Sequence, residues 1–362
     1  MCHSSLNVTE TRSLDKISIL LELSMQGLFP GETRVRKNST PIYTMRSAIL
    51  FYHRKIVGKA IMWLELAMGV LGNCWEIMAT KTSIDMWKES NPLKFKEFEK
   101  YVPRTWSDID SFKNDMAPTS FYVYKPDVGE QGNGIFFMRG LDMYLELKNK
   151  GDGGWIIQEF VDPFLVNGKK THTRVITLVF FQPDGSREFY IYDKMKIFTA
   201  VENFDENRLV DGDDNSFMLI TNMHKSKVYF ENDPKNVGKR FPYEKSVLDA
   251  ETVVGTEHFD YMYSDMVSMH SILYSIIGNM FECVPTDVSI YDNACFNIMA
   301  SDVAFDKDGK AHFLEMNYAM GFRNVWTPEE QLEFSNGVAA IARTESPYSM
   351  EDSSMWEKLV IS

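Results

Sequence analysis

An α+β (mixed α/β) fold is predicted for this chain, and three observations predict it. After residue 102 the sequence becomes a run of short apolar segments set off by Gly, Pro, Asn and Asp clusters. One stretch of helical spacing interrupts that run, and a longer one lies near 260–282. The first hundred residues, in contrast, carry mostly helical spacing. A hydrophobic fraction of 44% over 362 residues is enough for a sizeable core and excludes a wholly disordered chain.

The elements follow in order. Leu14, Ile17, Leu20, Leu21 and Met25 lie on one helical face, and residues 48–71 hold two more elements around Gly58. Residues 83–101 (SIDMWKESNPLKFKEFEKY) predict a helix, a break at Pro92 and a second helix. FYVYKP (121–126) predicts a strand, GEQGNG a flexible loop, and IFFM a second strand. LDMYLELKNK predicts a helix ending at Gly151. Strands are expected at 155–161 and 173–181, then a PDGS turn leading into one strand over 187–198. Residues 202–215 hold six carboxylates and one arginine, so they read as a solvated loop or a lid that orders on substrate binding. FNIMASDVAF and KAHFLEMN are joined by DKDG into a hairpin, and 341–362 is expected to be a loose tail or a short docking helix.

Charge and cysteine usage narrow the function. A net charge of −13 argues against a nucleic-acid-binding surface. The four cysteines form no CxxC pair, so neither a zinc site nor a disulfide framework is expected, and a reducing, cytoplasmic setting is. The most apolar run, 60–72, contains Glu65 and is too short to span a bilayer, so no membrane partner is expected.

The chemistry-bearing residues fall into four groups. On the last hairpin, strict alternation puts Phe313, Glu315 and Asn317 on one face and Leu314 and Met316 on the other, with Asp302 close across the turn. Three oxygen donors without sulfur or imidazole suit Mg²⁺, although an exposed polar hairpin face has the same pattern. Lys125 ends a strand just before the glycine loop, where backbone amides and an ammonium group suit phosphate, and where a plain turn would also fit. Gln158 and Glu159 end an apolar strand that could hold a purine or simply be buried. Lys170 and Arg174 share a strand face suited to phosphate or carboxylate, or to solvent. No Ser-His-Asp or Cys-His arrangement is evident.

The order of these groups carries a resemblance. YVPRTW, YVYKPDVGEQGNGI, WIIQEFVDPFLVNGKKTHTRVITLV, ITN and CFNIMASDVAFDKDGKAHFLEMN together resemble the tubulin tyrosine ligase-like family of the ATP-grasp superfamily, over residues 100–325. The resemblance implies an ATP-grasp fold, two β-sheet lobes clamping ATP, with a mostly helical N-terminal domain. It divides the chain into 1–100 (N-terminal substrate domain), 101–185 (central lobe), 186–340 (C-terminal lobe with the Mg²⁺ site) and 341–362 (tail). It implies a carboxylate–amine ligase that uses ATP and Mg²⁺ to join tyrosine, glutamate or glycine to a protein carboxylate. A catalytically inactive ATP-grasp scaffold and an ATP-grasp phosphotransferase are its alternatives.

Carried over residue by residue, the resemblance gives Lys81 and Lys125 to ATP phosphates and Gln131, Gly132 and Gly134 to the covering loop. Gln158, Glu159 and Val161 would meet the adenine, Lys170 the nucleoside, and Arg174 the phosphate or acyl intermediate. Thr221 and Asn222 would lie near the γ-phosphate and the amino acid, and Asp302, Glu315 and Asn317 would hold Mg²⁺. Lys125, Arg174 and Glu315 are the expected catalytic residues. Two positions depart from the family: His172 stands where it has an aspartate by the ribose, and Phe198 where it has a phosphate arginine. Lys194 or Lys196 would then serve that phosphate, and Arg323 could contact a carboxylate. An acidic chain facing acidic tubulin tails makes tubulin the less favoured acceptor.

Overall fold

A computed structural model describes residues 83–127, 134–149, 154–182, 184–210, 216–239, 241, 247–281, 295–317, 326–342 and 355–361. The helices expected before residue 83, the residues Lys81, Gln131, Gly132 and Arg323, and part of the acidic loop (211–215) lie outside them.

The chain enters through α1 (Ser83–Ser90) and α2 (Pro92–Phe98). Asn91 separates them and caps α2, its side chain accepting the Lys94 N–H at 3.3 Å, with Pro92 at the first helical position, where a missing N–H costs nothing. Then come β1 (Thr105–Trp106), α3 (Ile109–Asp115), β2 (Phe121–Pro126), β3 (Phe136–Arg139), α4 (Gly140–Leu147) and β4 (Trp155–Glu159). These strands form an antiparallel sheet in the order β1-β4-β2-β3. Alternation decides its faces. Tyr122, Tyr124, Trp155 and Ile157 pack with Phe112, Met143 and Leu147 from α3 and α4. Val123, Lys125, Ile156 and Gln158 therefore point the other way, with Val123 opposite Gln158 and Lys125 opposite Ile156.

The second sheet follows: β5 (Leu165–Val166), β6 (Lys169–Phe181), β7 (Arg187–Tyr192), β8 (Lys196–Thr199), β9 (Val247–Asp249), β10 (Cys295–Phe305), β11 (Ala311–Asn317) and β12 (Trp356–Lys358). Its helices are α5 (Ser216–Leu219), α6 (Met223–Asn232), α7 (Ala250–Val254), α8 (Thr256–Ile277) and α9 (Pro328–Ala342). The sheet has eight strands, with the path β11-β10-β6-β7-β12 and with β5, β8 and β9 attached through β6. It draws on strands from both sides of residue 185.

The thirteen-residue strand β6 organises this half. Val175 and Val179, on one face, join Met262, Met266, Met269 and Leu273 of α8 in the main core. The methionines and leucine recur at helical spacing, so α8 lays one apolar stripe on the sheet. Ile176, Leu178 and Phe180, on the other face, pack against Phe334 and Val338 of α9 and Trp356 of β12. The same face begins, however, with Lys170, His172 and Arg174. One face of one strand is thus apolar where α9 covers it and charged beyond.

Three expectations are corrected. The single strand over 187–198 is two strands: Ile191 lies opposite Thr177 and Lys196 opposite Arg174, so 192–195 bulge out against 175–176. The tail is neither loose nor helical over its last described turn, because β12 adds to the edge of β7 and Leu359 N–H bonds the Phe189 carbonyl at 2.8 Å. Phe313 does not share a face with Glu315. Asp302 pairs with Glu315 and Val303 with Phe313, which leaves Leu314 as a bulge residue. Phe313 therefore turns into the main core with Met316, while Glu315 stays beside Asp302.

Candidate functional site

The site is built on register. Asp302 lies opposite Glu315 on β11 and opposite Arg174 on β6; Arg174 lies opposite Lys196 on β8, and Lys196 opposite Asp249 on β9. Directly paired residues share a face, so five charged side chains run across five strands in one row. Sequence spacing alone could not show this row, because it depends on pairing.

At its acidic end the Arg174 guanidinium grips Asp302 in bidentate fashion, Nε to Oδ1 at 2.8 Å and a terminal nitrogen to Oδ2 at 2.9 Å. Asn317 Nδ2 donates to Asp302 Oδ2 at 3.3 Å and to Glu315 Oε1 at 3.4 Å. Burial works against the Asp302 charge, yet Arg174 holds its carboxyl below the ordinary carboxylate range. At the other end, the Lys196 ammonium donates to Glu330 on α9, lies 3.7 Å from Asp249, and sits over the Trp326 ring at 5.5 Å. Lys194 pairs with Glu333 at 2.5 Å, also on α9.

The two departures from the family pattern touch each other. His172 and Phe198 are paired across β6 and β8 and stack at 4.8 Å with 17° between their rings. Phe198 also lies 5.7 Å beneath the Arg174 guanidinium. His172 Nδ1 is hydrogen-bonded to Thr221 Oγ1, and its Nε2 lies 3.8 Å from Asp302 Oδ1. A hydroxyl–imidazole–carboxylate chain therefore exists that the sequence did not disclose. Its second link is an ion-pair distance, and burial pulls the His172 pKa down to about 4, which makes the ring a neutral, weak base. Thr221 is buried, and the Asn222 carbonyl accepts the Ser226 N–H at the start of α6.

The first sheet contributes Lys125. Its ammonium donates to Gln158 Oε1 at 2.6 Å; Gln158 Nε2 donates to Thr105 Oγ1 at 3.1 Å, and Thr105 donates to the Pro103 carbonyl at 2.7 Å. Gln158 thus orients the lysine from a buried position. Glu159 N–H is used by the Arg104 carbonyl at 2.8 Å, so that donor is not offered to a base; Val161 follows on the segment linking the sheets. Gly134 has φ +74, the left-handed region glycine tolerates, and packs on Pro126 next to Lys125.

Lys170 joins the two halves. Burial, and then the charge of Lys125, pulls its pKa down to about 8. Lys125, on the first sheet, is thus near enough for its charge to be felt at Lys170. Phe121 and Phe137 from the first sheet, Phe160 from the linker, and Phe204, Leu209 and Met218 pack together where the two halves meet. Phe204 and Leu209 belong to the acidic segment, so this segment is anchored rather than wholly solvated.

A pH dependence follows. A polyphosphate bound between these lysines favours the Lys170 ammonium, so binding takes up a proton where the free group has lost it. Affinity should be full below pH 8 and fall as pH rises beyond it, approaching about tenfold per unit for one proton. Calorimetry of ATP binding at pH 7 and 9, in buffers of different ionisation enthalpy, checks this; Lys170→Met should flatten the profile.

The donor set fits a hard cation. Among the described residues no three His, Cys, Asp or Glu side chains gather at a metal position. Asp302 and Glu315, bridged by Asn317, offer two carboxylates and, with the amide turned, a third oxygen. That suits Mg²⁺, which takes its remaining ligands from water and phosphate. A shallow groove of about 560 Å³, whose lining includes Phe164, Leu165, Phe204, Asp205, Glu206 and the Asp162–Lys307 ion pair, shares no residue with the row. No helix among the described residues is long and apolar enough to cross a membrane.

Comparison with known proteins identifies the family and the fold. Residues 72–319 match the model of the tubulin-tyrosine ligase family. A probable tubulin polyglutamylase, ttll-9 of Caenorhabditis elegans, is 26% identical over 250 residues, 66% of this chain and 54% of the relative. The tubulin polyglutamylase TTLL6 of Mus musculus is 29% identical over 231 residues, 61% of this chain and 26% of the relative. The matched region thus spans about half of the first relative and a quarter of the second. Among solved structures, the C-terminal domain of K. lactis Pby1, an ATP-grasp enzyme that interacts with the mRNA decapping enzyme Dcp2, superposes with a TM-score of 0.51 at 14% identity, covering 79% of each chain.

Proposed function

Because the chain belongs to the tubulin-tyrosine ligase family and has the ATP-grasp fold, we propose that it is an ATP-dependent ligase joining an amino acid to a protein carboxylate. The observation that carries this reading is the charged row Glu315–Asp302–Arg174, with Lys170 on the same face of the Arg174 strand; the reading itself sets Lys125 across from it. Glutamate is the amino acid we propose, and a tubulin tail the acceptor to test first, because the relatives are named tubulin polyglutamylases. The net charge of −13 would oppose such a tail, so acceptor capture would depend on local cations.

On this reading Lys125, held by Gln158, and Lys170 grip the polyphosphate from the two sheets. Lys81, Gln131, Gly132 and Gly134 would close over it, and Gln158, Glu159 and Val161 would border the base. The acceptor carboxylate attacks the γ-phosphorus and ADP leaves. The amino-acid amine then attacks the acyl carbon of the acylphosphate, and phosphate leaves. Arg174 steadies the tetrahedral species, and Thr221 and Asn222 border the incoming amine. Asp302, Glu315 and Asn317 would hold Mg²⁺, whose charge would offset that of the phosphoryl group. Catalysis rests on positioning and charge neutralisation, with no covalent enzyme intermediate.

One observation favours a second reading. Two neutral rings, His172 and Phe198, form the pair next to Arg174 and Lys196 on the same face, and Lys196 is already held by Glu330. A chain that binds ATP without turnover would tolerate both. Incubation with ATP, Mg²⁺, tubulin and labelled glutamate separates the readings: label in tubulin with equimolar ADP supports the ligase. Thermal stabilisation by Mg-ATP with neither label nor ADP, across a panel of amino acids, supports the inactive scaffold.

A further inference from the structure

Asp302 is asked to serve two cations. Both its oxygens are taken by Arg174, at 2.8 and 2.9 Å, and Oδ2 also accepts Asn317 Nδ2 at 3.3 Å. The pair is well shielded, with the Asp302 side chain 10% and the Arg174 side chain 23% exposed, so attraction between them is little screened. Arg174 is also seated on the Phe198 ring. Its planar fork matches the carboxylate, and a phosphate group would offer the same fork an equivalent partner. Two carboxylates and one guanidinium meet at this corner. A divalent cation arriving alone would meet a carboxylate whose charge is already offset, with a fixed positive group beside it.

We infer that Arg174 is an internal counter-cation for the metal position: Arg174 and a divalent cation compete for Asp302, and an arriving polyphosphate relieves the competition by drawing Arg174 onto itself. Metal and nucleotide then strengthen each other's binding, and by linkage each does so by the same factor. The simple alternative is that Arg174 only orients Asp302 as a ligand. It predicts the opposite sign, because removing an orienting partner weakens metal binding. The inference takes from the ligase reading only the nature of the polyphosphate; the competition itself is a property of three side chains.

Titration of the full chain with Mn²⁺ alone, following free Mn²⁺ by electron paramagnetic resonance, tests the sign. Arg174→Met should bind Mn²⁺ roughly tenfold more tightly than the wild type, within the usual range for coupled sites. Arg174→Lys keeps the charge without the fork; it should gain less, and it stands in if the methionine variant fails to fold. In a second arm, calorimetry of the imido analogue of ATP with and without Mn²⁺ should show mutual enhancement in the wild type that shrinks in the variants. Unchanged or weaker Mn²⁺ binding by the variants, or no Mn²⁺ binding by any chain at millimolar metal, overturns the inference. Failure of the analogue to bind while the metal-only order holds counts against the ligase reading instead.

Discussion

Glu315→Gln is expected to lower turnover by at least a hundredfold to a thousandfold, roughly the cost of removing one group that stabilises developing charge. Glu315 faces Asp302 across the hairpin and shares the Asn317 amide with it. Glutamine keeps the size and can still accept from Asn317, so the strand should fold as before. What it removes is one of the two negative charges at the proposed cation position. ADP release measured beside a thermal melt checks both halves of the expectation. Full turnover by a well-folded variant would remove the acidic hairpin from the chemistry.

Phe313→Ala should cost about 3–5 kcal/mol of stability, the usual toll for deleting a buried aromatic ring. Phe313 is 1% exposed and meets Trp87 at 5.5 Å and Phe98 at 5.7 Å, both edge-on. It therefore joins α1 and α2 to the hairpin that bears the acids. Urea unfolding should show a lower midpoint with little change in slope. An unchanged midpoint would mean that the two helices do not contribute to the stability of the sheet.

Much of this architecture was legible from the residues. FYVYKP reads as a strand because of its aromatic and β-branched side chains, and the structure gives it the same limits, Phe121–Pro126. The division at Asn91-Pro92 follows from capping chemistry. Lys170 and Arg174 on one face of β6 follow from period two. Partnership was legible only for the last hairpin, where Asp302 is expected close to Glu315; between strands distant in sequence it was not. The row from Glu315 to Asp249 depends on which strands pair and in what register, and nothing local encodes that. A bulge misled the alternation rule at Leu314, and the extra residues at 192–195 split an expected single strand, because such insertions leave composition unchanged. Glu330 was missed as the partner of Lys196, although a signal existed. Thr327 and Glu330 form a reciprocal capping box, with Thr327 N–H donating to Glu330 at 2.8 Å, and that spacing marks a helix start. The carboxylate that starts α9 is also the one that holds Lys196.

The surplus residue Leu314 sets the hairpin's tolerance to change. A substitution there alters only a half-buried side chain. A one-residue deletion between Phe313 and Glu315 would make the two adjacent, and plain alternation would then keep the phenyl ring in its helical socket and the acid beside Asp302, in a ladder without the bulge. What the surplus residue adds is therefore a local bend and extra twist of the strand, and not the choice of face for its neighbours.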